Sequence, residues 1–377
     1  PEHDLRSTNS VRSLYQSPDG ALWIGTDGAG VKRYDLASDR FASYLPQLRA
    51  AMNPDLATHD VNVNAVRPAG SGALWIGTNL GLYKLDPGHD SAHAQELLAG
   101  ETNPEAQVFN VRSLENASDG GLWVGTQTHG LIKLDANGHP VLQIGAGGRN
   151  GLSNAIVNSL HEDADKGVLW IGTMDGLDSL HLADRGMHHY LNDPHDPDTM
   201  SGNRVRTIIA ARDGGLWFGK HSGLNHVQAT SGGVARIRRY PVGEDNSTVY
   251  GILQDVRGRL WLSGNNGLLR LDPSTGALHR FTASDGLQNL EFNGGAYLRL
   301  NDGRLAFGGI RGLNLFDPSK IVDSGYAPPV VLTSARVGSE TGNRVGLEMP
   351  AQLQLRQSDS VLRLHFGALD YAAPGNI

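Results

Sequence analysis

The chain has 377 residues, with 32 Lys and Arg against 39 Asp and Glu, a formal net charge of −7. The basic residues are scattered, so the charged stripe that nucleic acid or anionic lipid requires is absent, and no apolar run reaches the length of a membrane helix. Without cysteine there are no disulfides or thiolate metal sites, which suits an oxidising compartment, and 49 glycines are nearly double the usual share of about 7%.

In chain order, the first patterned stretch is SPDGALWIGTDGAGVKRYD at 17–35. Val11 to Tyr15 alternates into an Asp19-Gly20 turn, Leu22 to Thr26 follows, Gly30 introduces Val31 to Tyr34, and Phe41 to Leu45 comes after Asp35 to Asp39. The period is two, and Asp-Gly between alternating apolar runs is a hairpin signal. The stretch predicts a four-stranded antiparallel meander. It is then rewritten as GALWIGTNLGLYKLD at 72–86, GLWVGTQTHGLIKLD at 121–135, VLWIGTMDGLDSL at 168–180, GLWFGKHSGLNHV at 215–227, RLWLSGNNGLLRLD at 259–272 and RLAFGGIRGLNLFD at 304–317. The Asp-Gly pair returns at Asp119-Gly120, Asp213-Gly214 and Asp302-Gly303. The anchors Trp23, Trp75, Trp123, Trp170, Trp217, Trp261 and Ala306 use every tryptophan of the chain.

One sheet of four short strands cannot bury both its faces, whereas seven such sheets packed around an axis can. The sequence therefore predicts an all-β chain with a seven-bladed β-propeller over residues 1–320 and no helical spacing. Each tryptophan is expected between neighbouring blades, with the glycine two residues on, Gly25 in the first copy, leaving room for the adjoining sheet. Gly30, Gly81, Gly130, Gly176, Gly223, Gly267 and Gly312 are placed to adopt positive φ at the next turn.

The LW[IV]GT…GL…D pattern with Asp-Gly upstream resembles the two-component regulator propeller repeat, found in periplasmic sensor regions of bacterial transmembrane signalling proteins. EFNGGAYLRLNDGRLAFGGIRGLNLFDPSKI at 291–321 resembles the last blade before the β-sandwich that follows such propellers. PPVVLTSARV at 328–337 and SVLRLHFGALDYAAPGNI at 360–377 resemble the opening of that Tyr-Tyr-Tyr domain, so 321–377 is expected to be a linker and a partial sandwich. The seventh copy lacks a clear fourth strand, and residues 1–8, PEHDLRST, resemble the loop NDPHDPDTMSG at 192–202. A strand completing the ring is therefore expected upstream of Pro1, in a longer parent. The resemblance implies an inner-membrane receptor with this segment in the periplasm, non-enzymatic and without cofactor. A histidine kinase or diguanylate cyclase is expected elsewhere in the parent, which is expected to be a homodimer attached to the membrane through segments outside this chain.

With strands running outward from the axis, the turn between strands two and three and the blade-joining loops share one face. The longer of those loops are 46–60, 146–155, 190–203 and 282–293, and loops carry function more often than strands. Aligning inner strands on the anchors gives Arg12, Asn64, Arg112, Asn158, Arg206, Tyr250 and Gly295 around the channel mouth. Asp27, Asn79, Gln127, His129, Asp175, His221, Asn265 and Arg311 occupy the adjacent turns. Arg suits carboxylate or sulfate and Asn suits sugar hydroxyls, so an oligosaccharide or similar polar ligand is expected there. The competing reading is that these side chains satisfy loop carbonyls. His129 and His221 have no partner at metal-ligand spacing, and DPHDPD at 193–198 lacks the calcium-loop order, so no metal is expected. There is no nucleophile elbow or phosphate loop. RLWLSGNNGLLRLDPSTGALHRF at 259–281 is similar to streptogramin-lyase repeats, which leaves a lyase as the enzymatic alternative and a protein-binding platform as a third.

Overall fold

The computed structural model describes residues 9–95, 97–98, 109–148, 150–221, 223–228, 236–242 and 248–321, and by backbone alone the strands Val330–Ser339, Gly342–Val345 and Val361–Ala368. The chain divides into two compact units, Pro1–Pro318 and Ser319–Ile377. In the first, the alternating runs form seven antiparallel meanders arranged as a β-propeller. Blade one runs from the axis outward through Val11–Gln16, Leu22–Thr26, Val31–Asp35 and Arg40–Ser43, each strand paired with the next. The inner strands of the following blades are Val63–Pro68, Val111–Asn116, Val157–Asp163, Val205–Ala210 and Gly251–Gln254, and each begins a four-stranded sheet of the same order. Blade seven has three described strands, Phe292–Arg299, Leu305–Gly309 and Gly312–Phe316. In the second unit Val330–Ser339 pairs antiparallel with both Gly342–Val345 and Val361–Ala368. Residues 1–8 and the remainder of the expected sandwich lie outside the described residues.

The tryptophans sit where the repeat puts them. Trp23 joins a cluster with Val63, Leu74 and Ile76 of blade two, Trp75 with Val111 and Val124 of blade three, Trp123 with Val157 and Ile171 of blade four, and Trp217 with Ile252 and Leu262 of blade six. Each such burial contributes on the order of 2–3 kcal/mol. The glycine two residues on is needed for close approach. A Cβ on Gly125 would stand 2.6 Å from Val157 Cγ1, and at Gly25, Gly77, Gly172 and Gly219 the first valine of the next blade would be met at 2.6 to 2.7 Å.

Across the third strand, the tryptophan faces Arg33, Lys84, Lys133, His226 or Arg270, with Ser179 in blade four. Lys133 Nζ lies 4.2 Å from the Trp123 ring centroid and 2.9 Å from Asp119 Oδ1. Arg33 likewise reaches Asp19 at 2.7 Å, and His226 reaches Asp213 at 3.3 Å. In blade three the aspartate of the Asp-Gly turn therefore has a second task, holding a cation over the tryptophan face.

The ring closes by packing blade seven on blade one. Val11, Leu14, Leu22 and Ile24 share a cluster with Ala296, Leu300 and Ala306. Asn293 Nδ2 donates to Val11 O and the Asn301 N–H to Gln16 Oε1, both at 2.8 Å. One expectation fails. The segment taken as a loop over 46–60 contains the helix Leu45–Ala51 and a 3₁₀ turn, Pro54–Leu56. Proline at the start of this helix presets its φ, and Leu48 is fully buried beside Trp23, Val31 and Val61. A helix of 7 residues is too short to show a period.

Candidate ligand-binding site

Five of the candidate residues share a backbone device. In blade one Val11 pairs with Thr26 but Ser13 pairs with Gly25, so Arg12 is an extra, unpaired residue. The same bulge sets Asn64, Arg112, Asn158 and Arg206 out of register in blades two to five. A bulge re-aims the extra side chain, and here all five line one cavity of about 270 Å³ at the channel mouth. Tyr250, Asn79 and Gly295 line it too, as do Asn62, Asn110, Glu291, Phe292, Asn293 and Gly294. In blade seven the bulge is longer, because Phe292 pairs with Gly309 but the next pair is Tyr297 with Phe307. The backbone at Gly295, with φ +83°, is thereby brought so near that a Cβ would stand 3.0 Å from Arg12 O.

The asparagines at the mouth are inter-blade clips. Asn64 Nδ2 donates to Val111 O at 2.8 Å, Asn158 Nδ2 to Val205 O at 2.9 Å and Asn293 Nδ2 to Val11 O at 2.8 Å. In blades one and three, where the bulge residue is arginine, the following serine takes this part, Ser13 Oγ reaching Val63 O at 3.0 Å and Ser113 Oγ reaching Val157 O at 3.4 Å. By this role the seventh-blade counterpart of Asn64 is Asn293. Counting back from Ala306 leads to Gly295 because the longer bulge shifts the alignment.

The arginines line the cavity with different partners. Arg12 Nη1 pairs with Asp27 Oδ1 at 2.7 Å. Arg112 donates from Nε to Asn158 Oδ1 at 3.1 Å and from Nη1 to Gln127 Oε1 at 3.4 Å. Burial, and then the charges of Arg206 and Arg12, push Arg112 below the usual guanidinium range. Burial also lowers Arg206, whose guanidinium carbon lies 5.9 Å from the Tyr250 ring centroid. Its buried Nε has no hydrogen-bond partner among the described residues.

Asp27 and Gln127 thus touch the cavity arginines from the neighbouring turns, and backbone hydrogen bonds fasten those turns to the residues before the inner strands, Asp27 N to Ser10 O and Gln127 N to Asn110 O, both at 2.9 Å. The remaining candidates are elsewhere. His129 packs edge-on against Phe109 at 4.3 Å, Asp175 accepts from Asn203 Nδ2 at 2.9 Å, and His221 Nδ1 lies 3.1 Å from Thr248 Oγ1. Asn265 lines a separate crevice with Gly264 and Arg280, and Arg311 is exposed. Asn62 and Asn110, overlooked from sequence, occupy one aligned position two residues before Asn64 and Arg112, so the repeat itself could have pointed to them.

Among the described residues no group of three or more His, Cys, Asp or Glu is arranged to hold a metal. Ser153, Asp178 and His189 do meet, with Ser153 Oγ 3.1 Å and Asp178 Oδ1 2.8 Å from the same atom, His189 Nδ1. One nitrogen cannot accept a proton from serine while donating one to aspartate, so this is not a nucleophilic relay. Asp178 also accepts from the Ser153 N–H at 2.8 Å and pins the loop to the blade.

The profile of the family described as "Two component regulator propeller" matches residues 5–28 and 151–175. Histidine kinase P4 of Formosa agariphila is 26% identical over 348 residues, 89% of this chain and 24% of that protein. The extracellular domain of the hybrid two component system BT3049 from B. thetaiotaomicron superposes with a TM-score of 0.71 at 22% identity, covering 98% of this chain and 48% of that one. The corresponding domain of BT4673, from the same organism, gives 0.67 at 16% identity, over 90% of this chain and 43% of that one. Streptogramin B lyase, another propeller by this comparison, gives 0.60 at 16% identity over 83% of this chain and 96% of the lyase. The chain spans about a quarter of the kinase and about half of either two-component domain, and at these identities the structural likeness is one of fold. Seven copies of the repeat close into one ring, and the stretches matched by this profile fall at the first and fourth of them.

Proposed function

We propose that this chain is the extracytoplasmic, periplasmic sensor segment of a transmembrane signalling receptor, itself non-catalytic, binding an oligosaccharide or similar polar ligand at the channel mouth. The observation that carries this reading is the cavity on which five bulges converge polar side chains. The likeness to a histidine kinase and to extracellular domains of two-component systems supports the receptor context. A ligand shifts a receptor between arrangements only by its differential affinity for them. In a dimeric parent the domains beyond the propeller would carry that bias to a kinase or diguanylate cyclase output.

The test is a thermal-shift panel of neutral and acidic oligosaccharides, with a streptogramin included. A ligand at about 100 times its Kd adds roughly 2.7 kcal/mol, a rise of several degrees for a unit of this size. A dose-dependent rise with one glycan, lost in Arg112→Ala, is expected. A streptogramin bound and consumed would replace the sensor with a lyase, and a panel without any shift would favour a protein-binding platform.

A further inference from the structure

The amides at the channel mouth are committed within the protein, and among the described residues two of the guanidiniums have no counter-ion. Asn64, Asn158 and Asn293 each spend Nδ2 on a carbonyl of the next blade, which leaves them little for a sugar hydroxyl. Arg12 is neutralised by Asp27 at 2.7 Å. Arg112 meets only neutral acceptors, and Arg206 has a buried Nε without a partner. Among the described residues no carboxylate stands within ion-pair distance of either, Glu291 on the cavity wall included. Two half-buried guanidiniums without counter-ions, close enough for one to depress the other, are unfavourable as they stand. A planar oxyanion supplies what they lack, since the guanidinium fork matches carboxylate or sulfate oxygens in pairs.

We propose that the channel mouth over blades three to five is an anion subsite, taking a carboxylate or sulfate group of the ligand against Arg112 and Arg206. This rests on the reading that the mouth binds a ligand, and narrows it to ligands that carry negative charge.

Calorimetric titration of the chain with galacturonate oligomers, neutral galactose oligomers of equal length and sodium sulfate tests it, at low and high NaCl. The acidic oligomer is expected to bind at least tenfold more tightly than the neutral one, with affinity falling as salt rises. Arg112→Gln and Arg206→Gln are each expected to weaken the acidic oligomer tenfold or more and leave the neutral one unchanged, while Arg206→Lys loses less and Glu291→Gln loses nothing. Because the Arg206 side chain makes no hydrogen bond or ion pair among the described residues, Arg206→Gln is expected to melt no lower than the unsubstituted chain, which separates lost binding from lost folding. Sulfate binding as tightly as the acidic oligomer would keep the subsite and remove the oligosaccharide from the function proposed above. Equal binding of acidic and neutral oligomers, unaltered in Arg206→Gln, would overturn the subsite and leave the sensor reading standing. Failure of every anion to bind the folded chain would overturn it as well.

Discussion

Lys220 occupies a position at which four other blades carry threonine. Thr26, Thr78, Thr126 and Thr173 each bond the carbonyl of the glycine that opens the next strand, at 2.7 to 2.9 Å. Lys220 is 1% exposed, and burial, helped by the charge of Arg239, pushes it down to about 8. Its folded pKa is therefore below the unfolded one, so between pH 8 and about 10.5 the unfolded chain binds more protons and stability rises with pH. Below pH 8 the full cost, about 3 kcal/mol at most, is present. Lys220→Met is expected to raise stability at pH 7, with the advantage over wild type shrinking as pH climbs to 10. Urea denaturation of both proteins across that range checks this, and parallel curves would refute it.

At the scale of the element, the blade is a meander with two departures from regular alternation: a glycine in the second strand and a bulge in the first. The glycine serves packing. Gly125→Ala would place a Cβ 2.2 Å from Ser113 Oγ and 2.6 Å from Val157 Cγ1, both in the close seam between blades three and four. Over-packing of this kind costs about 1–3 kcal/mol. Gly145, where a Cβ would meet nothing within 4 Å, is a control expected to move by less than about 0.5 kcal/mol. Equal effects of the two substitutions on the melting midpoint would mean that the seam yields. The bulge serves the mouth, because without it each inner strand would keep Arg12 or Arg112 in register with its neighbour rather than turned onto the cavity.

At the scale of the molecule, what matters is how the ring shuts. Blades one and seven meet through side-chain packing and through hydrogen bonds such as those of Asn293 and Asn301, and the anchor on blade seven is Ala306 rather than a tryptophan. Inside the ring Tyr297 reaches from blade seven to blade five, its hydroxyl 2.6 Å from Thr207 Oγ1, across Gly251, where a Cβ would stand 2.5 Å from the tyrosine ring. The seam between blades seven and one therefore buries a smaller anchor than the others, and local opening follows the least buried contacts. Native-state hydrogen exchange is expected to show Val11–Gln16 and Phe292–Arg299 exchanging before Val111–Asn116 and Val157–Asp163. Uniform protection around the ring would count against this, and Ala306→Trp is a poor remedy because Ala306 is already fully buried.

The repeat made the architecture legible: period-two runs, Asp-Gly turns and seven anchors at a near-constant interval leave little besides a ring of small sheets, because each sheet must bury a face and only its neighbours can cover it. The same register placed Arg12, Asn64, Arg112, Asn158, Arg206 and Tyr250 near one mouth. It could not divide them by task. Whether an amide is spent on the next blade's carbonyl or an arginine finds an acid depends on groups some 15 to 47 residues away in sequence, as with Asp27 beside Arg12 and Val111 beneath Asn64. Nor could alternation foretell the bulges, the short helix over Leu45–Ala51 or the reach of Tyr297. A local pattern determines which way a strand faces, but hydrogen-bond partners and unpaired charge are decided only when the blades come together.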